Sequence, residues 1–253
     1  MMFANDIVIC SESREQVEVN LERWRYALES RGIKVSRSKT EYMCVNERAD
    51  GGQVHLQGVD LVKVDEFTYL GSRIQSYGGS KREVKKRVQA RWCGWHKVSG
   101  VICDRKLSAR IKGKIYRTVV RPAMLYGLET VALTKRQVRE MELSEMKMLR
   151  FSFGVTKKDR IRNEFIRGSA HVACFGNKVR ESILRWFGHV QRRQESFIGR
   201  KVLGMELLGK MRRSRPKRRF MNAVMEDMRV VSVSVEDTYD RAKLRSLIRS
   251  GDP

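Results

Sequence analysis

A chain of 253 residues with 41% hydrophobic side chains can bury a sizeable core, which excludes a wholly disordered protein. It carries 53 Lys and Arg against 29 Asp and Glu, a net charge of +24 and a pI near 10.3. So large an excess repels itself without an anionic partner, which points to nucleic acid. No apolar run approaches the roughly 18 residues of a membrane span, and the apolar start lacks a basic leader and is interrupted by Asn5-Asp6, against a secretion signal.

The charge is uneven. Residues 1–79 hold 10 Lys/Arg and 12 Asp/Glu, whereas residues 80–253 hold 43 and 17. Five cysteines, odd in number and without a C-x-x-C, fit a reducing intracellular compartment, nuclear or cytoplasmic. His171-Val-Ala-Cys174 has the spacing of half a zinc site, but no second pair stands near it at ligand spacing.

In chain order, "MMFANDIVIC" (1–10) reads as a hairpin of two apolar quartets about Asn5-Asp6, residues that both tolerate the positive φ of a tight turn. Ser13 with Gln16 is a capping-box signature. It opens a helix with Val17, Leu21, Trp24 and Leu28 on one face, stopped by Gly32. Extended segments follow at 40–45, 54–57 and 67–74, separated by Gly51-Gly52 and Gly58. One helix on a few strands is the economical arrangement.

From residue 80 the pattern becomes helical. Ser80 with Glu83 opens a helix with Val84, Val88, Trp92 and Trp95 on one face and Lys81, Arg82, Lys85, Lys86 and Arg87 on the other. Ser108 opens another, through Ile111, Ile115 and Val119, closing near Pro122. Thr134 with Gln137 opens a third, to about Phe151. Val179, Ile183, Trp186 and Val190 mark a further helix, with Arg180, Arg185, Arg192 and Arg193 around it. The basic cluster "RRSRPKRR" (212–219) precedes one or two final helical segments, and fits a phosphate patch, a nuclear-localisation signal or both. The expected class is α+β: a small sheet with one packed helix, then a helical basic bundle.

The ordered set "FAND", "GIKVSRSKTEYM" (32–43), "FTYLGSRI" (67–74), "KIYRTVVRPAMLYGLET" (114–130), "LRWFGHVQRR" (184–193) and "RSRPKRRF" (213–220) resembles the C-terminal part of the reverse transcriptase of LINE-type, non-LTR retrotransposons. The resemblance implies a truncated polymerase palm over 1–79, a thumb-like region over 80–155 and a basic helical C-terminal region over 156–253. It implies RNA-directed DNA polymerisation with Mg²⁺ in the parent family, and RNA and DNA as partners.

In that family the hairpin reads Phe/Tyr-Ala-Asp-Asp. Asn5 here stands where the first metal-binding aspartate belongs, and Asp6 matches the second and is the candidate for catalysis and metal binding. A neutral amide supplies no charge to hold Mg²⁺, and the upstream palm does not precede the hairpin, so this chain is expected not to polymerise alone. Lys39 matches a lysine near the incoming nucleotide, and equally suits a solvated loop. Phe67, Tyr69, Leu70 and Gly71 match the primer-grip hairpin; plain strand alternation, and a turn glycine, would explain them too. For phosphate contacts the candidates are Lys81, Lys85, Lys86, Arg192, Arg193, Arg215, Lys217, Arg218 and Arg219. The tryptophans fall on apolar stripes and read as core.

Overall fold

The computed structural model describes residues 2–3, 6–45, 52–204 and 219–251. The chain divides into two compact units, 1–83 and 84–253, and the expected α+β class holds: short strands gather in the first and helices fill the second.

In the first unit, β1 (Met2–Phe3) pairs antiparallel with β2 (Asp6–Ile7), Phe3 opposite Asp6. The expected hairpin is there, with its register moved by one: Asp6 is a strand residue rather than half of the turn. Helix α1 (Arg14–Glu29) starts where expected, the Ser13 hydroxyl accepting the Gln16 backbone N–H at 3.2 Å. It ends at Gly32, whose φ of +82° lets Ile33 turn back to the Leu28 carbonyl.

The remaining strands form three more two-stranded ladders, so among the described residues no continuous palm-like sheet is present. β3 (Glu41–Tyr42) runs parallel to β6 (Val62–Lys63), and β4 (His55–Leu56) is antiparallel to β5 (Val59–Asp60). β7 (Glu66–Tyr69) and β8 (Ser72–Gln75) form the last hairpin, closed by Leu70-Gly71 at φ +48° and +77°. Two positive φ values in succession are the signature of a type I′ turn, which suits the twist of the flanking strands.

The core of this unit is small: Tyr42, Val54, Leu56 and Leu61, with Val17 and Leu21 of α1 against it. Carboxylates of α1 tie down the β4–β5 hairpin. Glu18 accepts the His55 backbone N–H at 3.0 Å and its ring Nδ1 at 3.1 Å, and Glu22 accepts the Gln57 N–H at 2.7 Å. An apolar cleft of about 880 Å³ opens beside α1, bordered by Ile7, Leu28, Tyr42 and Phe67 among others.

The second unit is built around α7 (Phe175–Gln191), whose Phe175, Val179, Ile183, Leu184, Phe187 and Val190 are all buried. It packs against α4 (Arg121–Leu125), α5 (Lys135–Ser152), α9 (Phe220–Val230) and α10 (Arg241–Ile248). Thr134 and Gln137 form the complete capping box expected for α5. A second cluster, from Trp95 through Tyr116, Met148 and Ile166, joins α2 (Lys81–Ile102), α5 and α6 (Asn163–Ala170). Both clusters draw residues from either side of position 155. The short α8 (Ile198–Gly204) follows α7.

Two features depart from periodicity. Helix α3 (Ala109–Ile115) does not stop at Pro122. It passes through a π-helical turn, Tyr116–Val120, and α4 restarts with the proline in its first turn, where a missing N–H leaves no bond unmade. Gly113 lets α3 meet α6 backbone to backbone: a Cβ there would lie 1.7 Å from the Ala170 carbonyl oxygen.

Candidate nucleic-acid interface

The buried stripe of α2 is not the one its apolar residues mark. Val84, Arg87, Arg91 and Trp95 face inward at i, i+3, i+7 and i+11, with Val88 and Trp92 half-buried on the flank. Arg87 therefore leaves the expected solvent face: it is 5% exposed, its guanidinium 4.9 Å from the centre of the Tyr126 ring. Arg91 is fully buried over Trp92, and none of its three guanidinium nitrogens makes a hydrogen bond. Burial pulls its pKa down from the ordinary arginine value.

Beside it lies an ion network. The fully buried Glu145 carboxylate accepts from Arg167 at 3.2 Å, from Arg121 at 3.4 Å and from the Tyr116 hydroxyl at 3.0 Å. Burial raises its pKa, with Arg121 and Arg167 opposing, and burial also drives the Tyr116 phenol well up. Arg121 donates a further bond to the Ala173 carbonyl at 2.7 Å. Arg121 and Lys178 also line a cleft of about 240 Å³ with Arg117 and Arg185. Sequence reading missed this grouping because it assigns charges to solvent; the i, i+4 spacing of Arg117 and Arg121 is the signal that could have found it.

The expected contact residues are differently placed. In the second unit Lys85 is exposed and Lys86 half-buried, and Lys81 at the end of the first is exposed. Arg193 is exposed and stacks on Phe197, with 5.6 Å to the ring centre. Arg192 is committed inward, to the Thr238 carbonyl, and burial pulls its pKa down. Arg219 is exposed at the start of α9; Arg215, Lys217 and Arg218 lie outside the described residues. Trp95 and Phe187 are core, and Trp186 is half-buried, edge-on to Phe220 at 5.4 Å.

In the first unit Lys39 is exposed on a single 3₁₀ turn, Arg37–Lys39. Phe67 and Tyr69 are half-buried on one face of β7, with Thr68 exposed between them, as strand alternation expects. Leu70 and Gly71 form the turn. The Asp6 hairpin and the Phe67 hairpin do not share a sheet, although Ile7 and Phe67 border the same cleft.

Asp6 is exposed and Asn5 lies outside the described residues. Among the described residues no group of three or more His, Cys, Asp or Glu side chains could hold a metal ion, His171 and Cys174 included. A two-metal Mg²⁺ centre needs several carboxylates converging on the ions, so the residues described do not fit one. All five cysteines are free, Cys10 and Cys93 exposed; the Cys174 thiol donates to Glu142 at 2.9 Å, and burial raises its pKa. No described helix is long and apolar enough to cross a membrane.

No family model and no solved structure matches the chain. It is 26% identical over 206 residues to an uncharacterised transposon-derived protein of Caenorhabditis elegans, a match covering 77% of this chain and 72% of that one. The matched length exceeds either unit alone, so the similarity to a transposon-derived protein reaches into both.

Proposed function

We propose that this chain is a fragment of a LINE-type retrotransposon reverse transcriptase that binds RNA or DNA through the phosphate backbone and does not polymerise by itself. The observation that carries the binding half is the separation of charge by unit. Residues 1–83 hold 12 Lys/Arg and 13 Asp/Glu, while residues 84–253 hold 41 and 16. A helical unit so charged repels itself unless an anion is near, and a nucleic-acid strand supplies a regular row of them. The reverse transcriptase half rests on the ordered motifs and on the similarity to a transposon-derived protein. Inactivity rests on Asn5, a neutral side chain at the position the motif gives to a metal-binding aspartate, and on the absence, among the described residues, of carboxylates gathered to hold a metal.

The test is fluorescence anisotropy of the purified chain with single-stranded DNA and the matching RNA across a salt series, beside primer extension with Mg²⁺ or Mn²⁺. Affinity should fall linearly on a log–log plot, by about 0.7 per phosphate neutralised, with little sequence preference. No extension product should form. Binding indifferent to salt would sink the phosphate-backbone reading; extension abolished by Asp6→Ala would overturn inactivity. A non-enzymatic RNA- or DNA-binding protein, using the helical unit alone, is the second reading, favoured by the lack of a fitting metal centre among the described residues.

A further inference from the structure

The cleft between the Tyr116–Leu125 segment and α7 has the construction of an anion site. Arg117 and Arg121 stand four residues apart on one wall, above Leu125. Lys178, Ser182 and Arg185 come from successive turns of α7 on the other, at i, i+4 and i+7. Glu181 is the carboxylate in the lining, and Glu145 behind the wall balances Arg121. Glu181 accepts from Lys178 at 3.1 Å, from the Arg185 guanidinium, and from the Ser250 N–H at 3.3 Å. The wall is also held in place. Arg121 is buried, pinned by the Ala173 carbonyl and by Glu145, so its charge is fixed at the cleft without the entropy loss a free side chain would suffer on binding. Arg117 sits on the π-helical turn, a local distortion found often at functional sites.

We infer that this cleft binds one phosphate group of a nucleic-acid strand. The inference rests on the nucleic-acid reading above and locates a contact within it. The volume of about 240 Å³ is below that of a site for a drug-sized ligand and suits a phosphodiester with part of its sugar. Arginine supplies paired donors matched to phosphate oxygens, lysine a point charge, and the Ser182 hydroxyl a neutral donor. Glu181 holds Lys178 and Arg185 in register, and it leaves the lining with a surplus of positive charge.

Two measurements on the full chain test this. The first compares single-strand binding by Arg117→Gln and Arg185→Gln with Arg105→Gln, a charge-matched change at an exposed turn residue. Each cleft variant should bind about three- to tenfold more weakly at moderate salt and lower the salt slope by about 1, while the unfolding midpoint stays put and Arg105→Gln changes affinity less than about twofold. The second follows arginine Nε–H NMR signals during titration with inorganic phosphate; those of Arg117 and Arg185 should shift saturably, and that of Arg105 should not. If the wild type binds strands but the cleft variants match Arg105→Gln, or the Nε signals stay still, the cleft is overturned and the nucleic-acid reading stands. Saturable phosphate binding without strand binding would overturn that reading and the nucleic-acid source of the phosphate. Neither kind of binding would overturn both.

Discussion

The two units of this chain solve the problem of a polar chain in opposite ways. The first holds charge near balance and, among its described residues, builds little: four two-stranded ladders, one α-helix of its own and a cluster of four buried apolar residues. The second carries the surplus charge and yet has the deeper interior, with clusters of fifteen and ten buried apolar residues. Part of its charge is folded inside, where Glu145 ties Arg121 and Arg167 and the two basic side chains Arg87 and Arg91 sit on the buried stripe of a helix. A large core in the basic unit is what allows it to hold fixed charges, and fixed charges suit recognition of an anion better than mobile surface lysines do.

Removing the keystone of the interior charge should have the largest effect. Glu145→Ala leaves the buried Arg121 and the half-buried Arg167 without their carboxylate and should destabilise the helical unit by about 3–5 kcal/mol in guanidinium unfolding. A loss below about 1 kcal/mol would mean the arginines are paired well enough without it, and would blur the contrast between the units. Leu56→Ala addresses the other side. It removes a fully buried side chain from the four-residue core and should cost about 2–3 kcal/mol. Hydrogen exchange should accelerate across 14–75 and stay unchanged in α5 and α7. Acceleration spreading into those helices would show one cooperative body rather than two.

The smallest effect sharpens the picture of exposed charge. Asp237 accepts from Lys243 at 2.6 Å and from the Ser234 N–H at 2.8 Å, and these bonds, Lys243 first, hold its pKa down at about 2. A carboxylate with a lowered folded-state pKa contributes stability that is complete above the unfolded value of 3.8 and is lost as the pH falls toward 2. The stability difference between wild type and Asp237→Asn should therefore shrink through that window. A difference constant across it would show that the Asp237 charge does not matter to the fold.

Much of the scaffold was legible because its signals are local. Ser13 caps α1 and Thr134 with Gln137 caps α5 because hydroxyl and amide need only reach the first free N–H groups of the same helix. The apolar stripe of α7 likewise follows from its 3.6-residue period. What escaped depends on contacts between distant segments. In α2 apolar periodicity put Arg87 on the solvent face, yet the stripe that turns inward includes it, and Tyr126 supplies its partner from 39 residues on. Asn and Asp suit turns so well that the first hairpin was centred one residue late, whereas the ladder pairs Phe3 with Asp6. Pro122 read as a stop because nothing local announces the π turn before it. Of the cleft, only Arg185 was singled out, as one of the charges around α7; Arg117, Arg121 and Lys178 were not, since they come to one cleft only through the packing of distant segments.

That π turn makes segment length a functional quantity. One residue more than a regular helix would use is accommodated between Tyr116 and Val120, and each residue of an α-helix turns the next by about 100°. The π turn absorbs that extra residue, so deleting Thr118 would restore an unbroken helix with Arg121 and Leu125 near their present faces, whereas deleting Ala123, from the regular helix beyond, would swing Leu125 by about 100° and turn it from the cleft while leaving every basic residue in the chain. A relative could thus keep all the charges of this unit and still lose an apolar wall of the cleft through a single missing codon, but not through one lost at the π turn.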